Sequence, residues 1–115
     1  MRVTRIFSDE AGDSHFGEAT YALKDSGEIG RLSEAIPAKG VYFRENDRTY
    51  DYDWHVAPRR QFIVLLDGAI EIETSDGSTR TFKGGDVLLL EDTTGKGHRT
   101  RNVEPRRRRS IFIAL

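Results

Sequence analysis

Chemistry in this chain would turn on His55, Gln61 and His98. Cysteine is absent, which excludes thiol nucleophiles, thiolate metal sites and a disulfide scaffold, and leaves imidazole, carboxylate and amide oxygen as metal donors. Two imidazoles and one amide oxygen would hold a divalent ion with positions open for water and substrate. Without a metal, the same imidazoles are hydrogen-bonding groups lining a pocket, or a lone acid or base. His15, in Asp13-Ser14-His15-Phe16, reads as a turn or surface residue, the other reading being a third imidazole for the site. Arg59 and Arg60 offer guanidinium forks to a ligand carboxylate or phosphate, and strand alternation turns only one of them inward. We expect Arg60, Lys96 and Asn102 to contact substrate, with an ion pair to Asp51 or Asp53 as the alternative for the arginines.

Those side chains need strands to bring them together. Eleven glycines, one methionine and short runs rich in Val, Ile, Phe and Tyr predict an all-β chain. From Arg60 to Leu66, Gln61, Ile63 and Leu65 share one face and Phe62, Val64 and Leu66 the other, the pattern of a strand buried on both sides. Ile70 and Ile72 alternate with Glu71 and Glu73, as in a strand with one wet face, and Asp67-Gly68 and Asp76-Gly77 mark tight turns. Further strands are expected at Val3 to Phe7, Thr20 to Leu23, Lys39 to Phe43, Thr79 to Phe82, Val87 to Leu90, His98 to Val103 and Ile111 to Leu115, with a loop or one helical turn at Gly27 to Ile36. Short strands joined by tight turns favour a closed or double-sheet architecture, because closure protects strand edges. In a narrow barrel, inward side chains converge on the axis. His55 and Gln61, placed on either side of Pro58 in one hairpin, would then meet His98, which opens a strand carrying Thr100 and Asn102 on the same face.

The segment from Trp54 to Gly68 resembles the first motif of the cupin superfamily, a Gly, five residues, His-x-His, three or four residues, Glu, six residues and Gly. His55, the three-residue spacing to Gln61, and Gly68 match, while Thr49, Ala57 and Gln61 replace the family's first Gly, second His and Glu. The second motif is similar to Gly95, His98 and Asn102, with Gly85 as a leading Gly set two residues too far away and Thr93 in place of the family's Pro. The likeness runs from Tyr50 to Val103. It implies a cupin-type double-stranded β-helix or jelly-roll barrel occupying residues 1–115 as a single domain. In cupins with the full motif, three His and one Glu bind a metal. The resemblance therefore implies His55, Gln61 and His98 as a reduced ligand set for Fe, Mn, Ni or Zn, with weakened affinity because a neutral amide does not offset the cation's charge. The chain also resembles small bacterial cupins with no established reaction, which implies a pocket and not a substrate.

Eighteen basic against nineteen acidic residues give a formal net charge of -1, which exerts no global pull on nucleic acid or anionic membranes. The run Arg106 to Arg109 reads as a solvated turn or as ion pairs across a dimer interface. Neither Gly84-Gly85 nor Gly95-Lys96-Gly97 has the spacing of a phosphate-binding loop. Tyr42, Phe43, Tyr50, Tyr52 and Trp54 read as core and interface packing, or as an aromatic wall for a ligand. No apolar run opens the chain, so we expect no signal peptide and a cytoplasmic setting. The expected protein is a homodimeric barrel that binds a small polar metabolite. It would act as an isomerase, lyase or oxygenase through His55 and His98, or serve as a non-catalytic ligand-binding or sensory module.

Overall fold

The glycine-bounded apolar runs become strands of two facing sheets in a computed structural model that describes all 115 residues. In spatial order, the larger sheet contains Ser14–Thr20 (β2), Arg2–Ser8 (β1), Val87–Leu90 (β10), Gln61–Leu65 (β7), Arg108–Ala114 (β12) and Gly40–Asn46 (β5). The smaller sheet contains Asp51–His55 (β6), His98–Asn102 (β11), Ala69–Thr74 (β8) and Thr79–Lys83 (β9). Every pairing within these sheets is antiparallel except β1 with β10. A short ladder of Lys24–Asp25 (β3) and Arg31–Leu32 (β4) encloses one 3-10 turn at Gly27–Ile29. This is the all-β, double-sheet barrel that the sequence predicts. No helix is long and apolar enough to cross a membrane.

Alternation places the core. Ile6, Ile63, Leu65, Leu88 and Leu90 of the larger sheet face Ile70, Ile72 and Phe82 of the smaller one, and each fully buried aliphatic chain contributes roughly 1.5–3 kcal/mol. The other face of β7 also avoids water, because Phe62 packs with Val3 and Leu89 beneath Tyr21 and Ile113. That second cluster is why both faces of the run are apolar.

Several boundaries differ from the sequence expectation. The second strand is Ser14–Thr20 rather than Thr20 to Leu23, since a turn closed by the Asp9 N–H donating to the Asp13 carbonyl at 2.8 Å returns the chain beside β1. Its pattern was faint, with only Phe16 and Ala19 apolar in seven residues. His55 and Gln61 do not share a hairpin: β6 and β7 lie in different sheets, and Val56 to Arg60 is a crossing between them. Arg108 is not in a solvated turn but begins β12 with 1% of its surface exposed.

His15 sits on β2, where Nε2 lies 2.6 Å from Asp9 and Nδ1 lies 3.1 Å from Asp76, tying this strand to the β8–β9 turn. The bond to Asp9 raises the His15 pKa above the ordinary 6.5 and holds Asp9 below the usual carboxylate value, while Asp76 is lowered chiefly by the Thr74 hydroxyl, with His15 adding to it. A raised imidazole pKa stabilises the fold fully below the unfolded value and is lost as pH rises through the folded one. We expect the thermal midpoint of His15→Gln to fall below that of the unsubstituted protein at about pH 5.5 and to converge with it towards about pH 9. A gap that is constant or widens with pH would contradict the ionic role.

Candidate functional site

Two corners of the barrel are tied together before any side chain enters. The Ala57 N–H, in the crossing from β6 to β7, donates to the backbone carbonyl of Asp92, in the loop from β10 to β11, at 3.0 Å. On the next turn of that loop, Gly97 adopts φ +72 and lies so close to the His55 carbonyl that a Cβ there would run into it. The bare α-carbon lets β11 start directly beside the end of β6, with His98 opposite His55 in register. A register irregularity between His98 and Thr100 follows at once, as expected where a strand is re-aimed at a site.

The two imidazoles meet at a ring-centroid distance of 4.5 Å with 57° between their planes. Each has one nitrogen already committed. His98 Nδ1 lies 2.5 Å from Oδ2 of Asp92, whose carboxylate has no exposed surface and makes no other side-chain hydrogen bond. His55 Nδ1 lies 2.7 Å from the Asp53 carbonyl; a carbonyl only accepts, so this nitrogen carries the hydrogen and Nε2 has the free lone pair. Tyr52 stacks on His55 at 3.7 Å between centroids. Burial pulls the His55 pKa below 6.5, and the neighbouring His98 adds to this against the Asp53 bond, so His55 is neutral at pH 7.

These rings border a cavity of about 210 Å³ lined by Gln61 and Thr100, by aliphatic side chains of β7 and β8, and by Arg44 and Tyr50. It has the liquid volume of about seven waters, enough for a small metabolite. Strand registers give the cavity two ends. His98 and Gln61 mark one; Ile70 and Leu65 mark the other, about 13 Å along the strand.

Gln61 is buried and borders the same cavity, but its Oε1 accepts a hydrogen bond from Arg59 Nη1 at 3.2 Å. Ala57, at the position of the family's second histidine, is 2% exposed and packed into the apolar core. No group of three or more His, Asp or Glu is placed to hold a metal ion. A cation would meet two imidazole nitrogens, an amide oxygen already bound to a guanidinium, and no carboxylate in the cavity wall. The donor set does not fit a resident divalent metal, which needs anionic or several neutral donors to offset its charge.

Of the expected substrate contacts, none reaches the cavity. Arg60 Nε donates to Glu91 at 2.8 Å, a carboxylate shared with Arg5, so the inward member of the arginine pair is Arg59. Lys96 is paired with Asp13 at 2.8 Å. Asn102 is spent on structure, its amide donating to the Asp47 carbonyl at 3.0 Å and its oxygen accepting from Arg108 Nε at 2.7 Å. His15 lies with Asp9 and Asp76, away from the imidazole pair. Tyr50 and Tyr52 line the cavity, whereas Phe43 and Trp54 are exposed and outside the core. Sequence reasoning missed Asp92, whose signal was a carboxylate in the loop leading to His98, and Arg44, which carried no signal because its register with β12 is a long-range property.

No family model and no curated protein matches this chain. Among solved structures, it is similar to a Neisseria meningitidis protein at TM-score 0.52 and 21% identity, over 70% of this chain and 78% of that one. A conserved Streptococcus pyogenes protein matches at TM-score 0.53 and 18% identity, over 74% and 70% respectively. The cupin domain of Drosophila melanogaster CENP-C matches at TM-score 0.51 and 10% identity, over 96% of this chain and 85% of that domain. At these identities the likeness is one of fold.

Proposed function

Starting from a chain with the cupin fold, we propose that the barrel is a cytoplasmic, metal-independent pocket for a small polar metabolite, in which His98 accepts a proton from the bound molecule. The observation that carries this reading is Asp92. A carboxylate buried without exposure is costly unless matched, and its side chain has one partner, His98 Nδ1. Such a carboxylate fixes the ring's tautomer and orientation and stabilises the imidazolium formed when Nε2 takes a proton. Neutral His55 adds a second lone pair beside it, suited to a hydroxyl or other donor on the same ligand. Proton movement between two atoms of one molecule makes isomerisation the reaction class that needs least from the site. A non-catalytic binding or sensory barrel is the second reading, favoured by a lining in which 10 of 16 residues are hydrophobic.

The test begins by identifying the molecule that leaves the cell with the protein, then incubating it with protein in deuterated water. The account predicts exchange of a carbon-bound hydrogen, lowered about 100-fold or more by His98→Gln and about tenfold or more by Asp92→Asn, with binding retained and no change on adding chelator. Binding without exchange would support the sensory module; exchange abolished by chelator would contradict the metal-independent reading.

The reading includes a homodimer. β5 ends the larger sheet with an open edge, and it carries Val41 and Phe43 at 56% and 83% exposure. The accessible surface of 7162 Å² exceeds the roughly 6,400 Å² typical of a monomer of this mass. The excess is close to the area of about 800 Å² that each partner contributes to an ordinary interface. Sedimentation equilibrium should give a dimer for the unsubstituted protein and a monomer for Phe43→Glu; a monomer in both would remove the dimer.

A further inference from the structure

The end of the cavity away from the histidines is lined by Arg44, with Arg108 buried behind it outside the lining, and neither has a carboxylate partner. Arg108 pairs with Asn46, and Ser110 with Arg44, across the β12–β5 ladder, so all four project from the sheet face that also carries Phe112. Arg108 and Ser110 are each 1% exposed. Asn102 takes Arg108 Nε, but Nη1 and Nη2 are buried without a hydrogen-bond partner, as are Arg44 Nε, Ser110 Oγ and one acceptor on the same face, Asn46 Oδ1. Neither arginine forms an ion pair; the nearby Asp67 is bound to the backbone and side chain of Arg109. The Tyr50 ring lies 5.4 Å from the Arg44 guanidinium and 5.1 Å from that of Arg108. Its face offsets part of the charge and supplies no acceptor to Arg108 Nη1 and Nη2 or to Arg44 Nε.

Two guanidiniums crowded into a half-dry space repel one another. Burial first, and then the charge of Arg44, pull the Arg108 pKa down to about 10, and burial lowers that of Arg44. An uncompensated pair of this kind is a poor structural device, since apolar side chains of similar volume would serve the fold better. It is a good receptor for an oxyanion, because the desolvation cost is already met and the donors are held in place. Arg44, Tyr50 and Phe112 line the cavity, which joins this end to the imidazoles.

We infer that the Arg44 end of the cavity, with the Arg108 guanidinium buried behind it, is a carboxylate subsite, so that the ligand is a small organic acid with its anion at Arg44, an apolar body along Ile63, Leu65 and Ile70, and a hydrogen-bond donor at His55 and His98. This rests on the pocket reading proposed above and names the ligand class it left open. A carboxylate with a hydrocarbon body suits the aliphatic middle of the cavity better than inorganic phosphate does.

Hexanoate, its neutral amide hexanamide, and inorganic phosphate are the probes, titrated by calorimetry and followed by thermal midpoint. Hexanoate should bind and raise the midpoint, and hexanamide and phosphate should bind at least about tenfold more weakly. Arg44→Met should weaken hexanoate by about tenfold or more and Arg108→Met by less, while the probe-free midpoint of Arg108→Met stays at or above that of the unsubstituted protein. Equal binding of acid and amide, tighter binding of phosphate, or undiminished hexanoate binding by the methionine variants would overturn the subsite. Hydrogen exchange on the bound metabolite without hexanoate binding would overturn the subsite alone. Hexanoate binding with no exchange would keep the subsite and remove only the proton-transfer chemistry.

Discussion

Asp92 is buried without exposure, and the 2.5 Å contact with His98 Nδ1 is the one hydrogen bond its side chain makes. Its other oxygen, Oδ1, is buried without a partner, and the rest of the site follows from the single bond that Oδ2 makes. The bond turns the His98 ring so that Nε2 is left for the cavity. The Asp92 backbone carbonyl meanwhile accepts from Ala57 and anchors the crossing that separates His55 from Gln61. With the loop so held, Gly97 can press against the His55 carbonyl, and β6 and β11 pair with the imidazoles adjacent and tilted to one another. A side chain at Gly97, or loss of the carboxylate, would disturb both rings through the same few contacts.

The cavity is polarised by the same strand geometry. Alternation along β11 and β5 sets lone-pair acceptors at the His98 end and the Arg44 guanidinium, backed by buried Arg108, at the other, with aliphatic residues between. Charge on the outer surface is arranged differently. Arg5 and Arg60 share Glu91, Arg101 meets Glu71, and Arg109 meets Asp67, so most surface arginines are partnered while the buried one is not. Exposed pairs of this kind contribute little each. The unmatched interior pair therefore stands out as a feature directed at something other than stability.

Much of the barrel was legible because its strands carry period-two patterns. Ile70 to Glu73, Val87 to Leu90 and the doubly apolar run at Phe62 to Leu65 announced their burial, and the Asp-Gly pairs announced turns. The convergence of His55, Gln61 and His98 could be read from motif spacing. What could not be read depends on long-range partners. Whether Arg59 or Arg60 points inward is decided by Glu91, which captures Arg60 from a different strand. The burial of Arg108 is decided by the register of β12 against β5, and four consecutive arginines give no sign of which one faces the core. The crossing at Val56 to Arg60 looks like a hairpin in sequence because Pro58 marks a bend equally well in either setting.

The most direct test of the arrangement is nitrogen-detected NMR of the two imidazoles in uniformly labelled protein at neutral pH. The account predicts His55 with its proton on Nδ1 and a bare Nε2, and a His98 Nδ1–H shifted strongly downfield by the Asp92 carboxylate, unchanged by chelator and lost in Asp92→Asn. A His55 proton on Nε2, a bare His98 Nδ1, or imidazole signals that move when chelator is added would contradict it.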